Sequence, residues 1–260
     1  MNLWDDHDFP NFEVLICDNL QEISDETDWR LSEQFEAGAR NFMIGIGRTQ
    51  YPLFDLWKSG NSPFSKFLPL IKYIHGDEYL GLKRDDHRRL LNEMNSRLGI
   101  IGKINKATGF EHYQRITFND AMDPDQAALS HEWNIDSVGG IDSVATGVGE
   151  DGHIFFNPPG TSFDSRSRRI KLWPDVMKQN EELLEGATQP TEALTVGLGT
   201  ITDAEFHNIM VHGEHKAQAM AVLFKGIADP QWPVTYLHAL DPETKKVKII
   251  ADRAAMSLVL

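Results

Sequence analysis

The chain has a single cysteine, Cys17, so an internal disulfide is excluded. Cys17 sits in the apolar run Phe12-Glu13-Val14-Leu15-Ile16-Cys17, which reads as a strand with a buried thiol. Basic patches are also missing. The formal net charge is −14, and a nucleic-acid partner would need a cationic face that this chain does not carry. No apolar run approaches the roughly 20 residues that cross a bilayer, so no membrane association is expected. The start, MNLWDDHDFP, is acidic and lacks the basic residues and apolar stretch of a secretory signal. These absences together predict a cytoplasmic protein. Repeats, low-complexity tracts and long linkers are absent too. What is there is ordinary globular material, 41% hydrophobic and 25% charged. Residues 1–260 therefore read as one domain, long enough to bury a substantial core.

Strand and helix patterns alternate along the chain. Residues 12–17 predict a strand, and 20–38 a helix in which polar residues surround Ile23, Trp29, Leu31 and Phe35. The apolar runs at 42–47 and 70–75 suit buried parallel strands. An Arg-rich helix is expected over 84–98, with Leu90, Leu91 and Met94 on one side, and another over 124–134 with Pro124 in its first turn. Residues 141–146 lead as a strand into a glycine-rich loop. Further strands are expected at 192–198, 206–212, 234–238 and 246–250, and an amphipathic helix over 214–226 stopped by Gly226. Such alternation predicts an α/β fold in three layers, a mostly parallel sheet flanked by helices, with sites at the carboxyl ends of its strands.

The loop Gly147-Val148-Gly149-Glu150-Asp151-Gly152-His153 admits three readings. Its G-x-G-x-x-G spacing fits a dinucleotide motif, but that motif needs a helix to begin inside it and meet the pyrophosphate. Pro158 and Pro159 would stop such a helix within a turn or two. The second reading is a plain structural turn with His153 incidental. The third is catalytic: Asp151 can fix the tautomer of His153 and raise its basicity, while the glycines let backbone approach a ligand.

The stretch GVGEDGHIFFNPPGTSFDSRSRRIKL resembles the signature of glucosamine-6-phosphate deaminases, G-x-G-x-D-G-H-I-A-F-N-E-P followed by a serine-rich turn and an Arg/Lys strand. Gly76-Asp77-Glu78-Tyr79-Leu80-Gly81-Leu82, Ala193-Leu194-Thr195-Val196-Gly197-Leu198-Gly199-Thr200 and Gly213-Glu214-His215-Lys216-Ala217 resemble further motifs of that family, in the right order. The resemblance spans roughly residues 12–256. Tyr79, Ile154 and Asn157 place the chain nearer the deaminases than the related 6-phosphogluconolactonases. It implies a hexosamine 6-phosphate as small-molecule partner, converted to a ketose 6-phosphate and ammonia, with no metal and no organic cofactor. Catalysis would fall to His153, oriented by Asp151, for ring opening, and to Asp77 for proton transfer from C2 to C1. Substrate or phosphate would be held by Arg48, Thr49, Gly149, Gly152, Asn157, Arg168 and Lys216, with residues 158–190 as a cover. A homo-oligomer stays open, since family members differ in this.

Three family positions are changed. Pro158 stands where the family has a ring-opening glutamate, and Glu150 or Asp164 would have to compensate. Arg48-Thr49-Gln50-Tyr51-Pro52 replaces a glycine-containing phosphate turn, so Arg48 would bind the anion instead. Asn180 stands where an arginine is common, with Lys178 nearby. These changes keep two alternatives in play: another sugar-phosphate isomerase or a lactonase-like hydrolase, and a non-catalytic sugar-phosphate-binding homologue.

Overall fold

The computed structural model describes residues 12–98, 100–101, 104–105, 114–183 and 189–260. The acidic start read from residues 1–10 lies outside them. The chain runs through β1 (Glu13–Cys17), α1 (Leu20–Glu36), β2 (Asn41–Ile44), α2 (Tyr51–Ser59), β3 (Lys72–Ile74), β4 (Asp77–Tyr79) and α3 (Leu90–Arg97). The short strands β5 (Ile100–Ile101) and β6 (Ile104–Asn105) follow, then β7 (Gln114–Ile116), α4 (Pro124–Ser137), β8 (Ser143–Gly147), β9 (Arg168–Lys171) and α5 (Pro174–Leu183). The last part holds β10 (Glu192–Thr195), α6 (Leu198–Thr202), β11 (Phe206–Val211), α7 (Ala217–Leu223) and β12 (Lys246–Asp252).

The main sheet has the order β1-β12-β11-β8-β2-β3-β7, and all its neighbours pair in parallel. Because strand side chains alternate between faces, a run such as Phe42-Met43-Ile44 feeds two cores at once. Met43, Val144, Ile209 and Ile249 pack with α4, α6 and α7 on one face. Phe42, Ile44, Ala145, Met210 and Ile250 pack with α1, α2 and α3 on the other. This is the expected three-layer arrangement. Truncating a fully buried member such as Leu31 or Ile249 to alanine would cost about 2–5 kcal/mol. Cys17 is buried as expected, and burial first, then neighbouring carboxylates, push its thiol up to about 11.

Helix starts follow their caps. Asn19 accepts from the Glu22 N–H at 3.0 Å to start α1, and Asp123 accepts from the Asp125 N–H at 3.0 Å to start α4, with Pro124 at the first helical position. A second, antiparallel sheet, β4-β10-β9, packs through Tyr79, Phe156, Ile170, Val176 and Ala193. The chain passes from β3 of the large sheet to β4 of the small one through His75 and Gly76, which leaves Asp77 at the junction of the two.

Four expectations are corrected. The helix expected over 84–98 covers only Leu90–Arg97. The Glu78 carboxylate accepts from the N–H groups of Leu90 and Leu91 and so fixes the start there, while Arg88 turns back onto Asp86 at 2.6 Å. The strand expected at 234–238 is a 3₁₀ helix, Pro233–Ala239. Proline cannot donate to a ladder, and Val234 and Leu237 share a face at the three-residue period of a 3₁₀ turn, both in the core. The strand expected over 192–198 stops at Thr195, because Gly197 caps α6. Tyr51 and Pro52, aligned with the end of a phosphate turn, instead begin α2, Tyr51–Ser59. Among the described residues, no helix is long and apolar enough to cross a membrane.

Candidate active site

Strands β2, β8 and β11 lie near the middle of the main sheet, and each is followed at its carboxyl end by a loop that borders one cavity. The cavity has a volume of about 680 Å³. Six of the ten catalytic and binding candidates line it: Arg48 and Thr49 after β2, Asp77 on β4, Gly149 and His153 after β8, and Lys216 after β11. A topology that gathers loops at the carboxyl ends of parallel strands explains why residues so distant in sequence meet.

The loop after β8 is closed on itself. The Gly149 N–H donates to the His153 carbonyl at 2.9 Å, and the Gly152 N–H donates to the Gly149 carbonyl at 3.0 Å. Gly149 is required here by close approach: a Cβ on it would lie 2.0 Å from the His153 ring. Gly152 is required by conformation, with φ +79°. The turn carries Asp151 back to His153, Oδ1 to Nδ1 at 2.6 Å. Asp151 itself stands behind the imidazole, and its other oxygen accepts from the Trp173 indole N–H at 2.7 Å. The Trp173 ring also meets the His153 ring edge-on, centroids 5.1 Å apart. Burial pushes the Asp151 carboxyl up, but the bonds and charge from His153, with the Trp173 bond, outweigh it and hold it down at about 2. Asp151 is thus a fixed anion that pins the imidazole, leaving Nε2 for chemistry.

Asp77 is the opposite kind of acid. It is 7% exposed and lines the cavity, and among the described residues its carboxyl has no hydrogen-bond partner. Burial, then the adjacent Glu78 charge, push its pKa well above the ordinary carboxylate range. Glu78 is held by backbone N–H groups and by Arg89 at 3.4 Å, so it stays structural while Asp77 is left poised to take or give a proton. The Phe155 ring packs on Gly76 just before Asp77, with the Phe155 backbone in the left-handed region at φ +51°.

The rim holds Arg48, His215 and Lys216. Lys216 has no ion pair among the described residues. Burial lowers its pKa, the charges of Glu150 and Asp151 raise it, and Arg48 lowers it. A half-buried ammonium beside a second cation favours an arriving anion. The 3₁₀ turn Arg48–Gln50 and the first residue of α2, Tyr51, also border the cavity.

Three expected binding residues lie elsewhere. Gly152 gives its carbonyl to the Val234 N–H at 2.8 Å. Asn157 is fully buried, its amide donating to the carbonyls of Ile154 and Val196 at 3.0 and 2.8 Å, which locks the loop to the end of β10. Arg168 turns to the Thr161 hydroxyl at 3.3 Å, away from the cavity lining. Of the two acids that would compensate for Pro158, Glu150 borders the cavity, whereas Asp164 packs by its backbone against Gly199. Lys178 is exposed, Gln179 beside it reaches the cavity, and the Asn180 side chain lies outside the described residues. Sequence reasoning missed Trp173, Phe155 and Gln179. None of the three carried a signal in the sequence, because each reaches the site only through tertiary packing.

The family model for glucosamine-6-phosphate isomerases/6-phosphogluconolactonase matches residues 36–247. A glucosamine-6-phosphate deaminase of Clostridium beijerinckii is 33% identical over 92% of this chain and 96% of its own length. One of Parabacteroides distasonis is 34% identical over 82% and 77%. Among solved structures, a monomeric glucosamine-6-phosphate deaminase superposes with TM-score 0.79 at 26% identity, covering 95% of this chain and 99% of that one. A 6-phosphogluconolactonase of Thermotoga maritima superposes with TM-score 0.67 at 14% identity, a likeness of fold alone. With the family model matching most of the sequence, and with relatives above 30% identity along most of its length, the chain belongs to the glucosamine-6-phosphate isomerase/6-phosphogluconolactonase family.

Proposed function

We propose that this protein converts a hexosamine 6-phosphate and water to a ketose 6-phosphate and ammonia. The observation that carries the reading is a pair of unlike proton-transfer groups on one cavity, an unpartnered buried Asp77 and an anion-backed His153, with cations at the rim. His153 Nε2 moves a proton from the anomeric hydroxyl to the ring oxygen and opens the sugar. Asp77 removes the C2 proton, giving an enolamine, and returns a proton to C1. The C2 iminium that results takes up water and releases ammonia, so the net change is one water consumed and one ammonia formed. Every step moves protons or water, which a carboxylate and an imidazole can manage alone.

Arg48 and Lys216 hold the phosphate, with Thr49 as a hydroxyl donor beside them. Gly149 leaves room for the imidazole. Glu150 is the one acid of the loop that borders the cavity and can stand in for the one lost at Pro158. The described part of 158–190 brings Val176 and Gln179 to the cavity, which supports its reading as a cover. A buried, inert Cys17 fits a cytoplasmic enzyme. Incubation with glucosamine 6-phosphate and galactosamine 6-phosphate, followed by assays for ammonia and ketose phosphate, tests the proposal. Product formation no faster than with Asp77→Asn would refute it, and hydrolysis of a sugar lactone in its place would move the chain to the lactonase side of the family.

A further inference from the structure

Asp151 uses both carboxylate oxygens, and only one of them serves His153. Oδ1 takes the imidazole Nδ1 at 2.6 Å and the His153 backbone N–H at 3.2 Å, while Oδ2 takes the Trp173 indole N–H at 2.7 Å. Trp173 comes from a different part of the chain, between β9 and α5, and its ring also closes edge-on over the imidazole at 81°. A carboxylate held at one oxygen can swing about its Cβ–Cγ bond. Held at both, and walled by an aromatic ring, it has one orientation and so fixes the ring it supports.

We propose that Trp173 is a positioning residue, the third member of an indole–carboxylate–imidazole chain, Trp173–Asp151–His153, which sets the orientation and tautomer of His153 for ring opening. The proposal rests on the proton-transfer role of His153 given above. The chain also links the catalytic loop to the β9–α5 segment, since Trp173 precedes α5, whose Val176 and Gln179 border the cavity. Phosphate and sugar are held elsewhere on the rim, so the indole acts on turnover and leaves binding alone. Among the described residues, the charged groups that act on Asp151 are His153 from its own loop and Lys216 from the turn after β11, with Glu150 next to it in sequence; the indole adds a neutral donor to them. Removing that donor frees one oxygen of the carboxylate and weakens its hold on the imidazole.

Trp173→Phe keeps a ring against His153 and deletes only the N–H. The expected result is a kcat lowered on the order of tenfold, the loss of one charge-assisted hydrogen bond, with KM within about twofold. A second measurement needs no substrate. In protein labelled with ¹⁵N-histidine, the low-field Nδ1–H proton of His153, assigned by its absence in His153→Gln, should move upfield and exchange faster in Trp173→Phe. An unchanged kcat overturns the proposal, and so does a lowered kcat with the resonance unmoved, because that pattern reports fewer folded molecules rather than a displaced imidazole. If the wild-type protein turns over no hexosamine phosphate, the substrate reading fails by itself, and the resonance still decides the indole's role.

Discussion

Two carboxylates of one site are driven in opposite directions by their surroundings. Asp151 is fixed as an anion by donors, and Asp77 is kept protonated to unusually high pH by burial and by Glu78. On the proposed mechanism Asp77 acts first as a base, so kcat should rise with pH as its carboxylate forms, through a limb well above the usual carboxylate range. Glu78→Gln removes the neighbouring negative charge, stabilises the Asp77 anion and should shift that limb to lower pH, as a kcat–pH profile would show. A limb that stays in place would mean that desolvation alone sets it. At the rim, Lys216→Ala should raise KM about 10- to 100-fold with kcat changed less than threefold, read from initial rates. Gly149→Ala should remove activity while leaving the thermal transition within a few degrees, because its new methyl meets first the His153 ring, a side chain that can turn aside. The pairing of Asp151 with His153 was legible two residues apart in one motif. Trp173 was not, since it lies 22 residues from Asp151 and no pattern ties an indole to a distant carboxylate. Arg168 and Asn157 lie off the cavity lining for a related reason: a motif preserves order along the chain and does not say which members face one cavity.

At the level of elements, glycines decide how closely loops approach. Gly197 has ordinary dihedrals, yet a Cβ there would lie 2.0 Å from the Ser165 carbonyl oxygen, and backbone cannot step aside as a side chain can. Gly197→Ala should therefore destabilise by about 1–3 kcal/mol, seen as a fall in urea midpoint, and should loosen the turn that joins β10 to α6. The parallel strands were readable because runs such as Phe42-Met43-Ile44 are apolar on both faces and glycine-ended. Helix α2 is readable in principle, with Leu53, Phe54 and Trp57 at helical spacing behind Pro52, but its first two residues, Tyr51 and Pro52, also align with the end of a phosphate turn. Residues 234–238 alternate like a strand, and what decided against it was Pro233 together with a fully buried Tyr236 that bonds His207 at 3.0 Å. Such packing is a tertiary fact that no local pattern carries.

The whole molecule carries 14 excess negative charges and binds, on the reading above, a dianion. Attraction at the rim acts over a few ångströms, whereas the repulsive field extends further and is screened first, with a Debye length near 10 Å at about 0.1 M salt. Raising sodium chloride from about 10 to 100 mM should thus increase kcat/KM for the phosphate substrate, with a decline only at higher salt. A monotonic fall from the lowest salt would show that the rim cations dominate at long range too. The molecule also has a seam, where the chain leaves the parallel sheet at Ile74 and joins the antiparallel one at Asp77. Phe155, strained at φ +51°, fills the space at that seam that a side chain on residue 76 would need, coming within 2.3 Å of its Cβ position. Residues 76 and 155 are therefore not free to vary separately over evolutionary time. A lineage that enlarges the first must shrink the second, and a double-mutant cycle of Gly76→Ala with Phe155→Ala should show the pair recovering about 0.5–3 kcal/mol that the single changes lose.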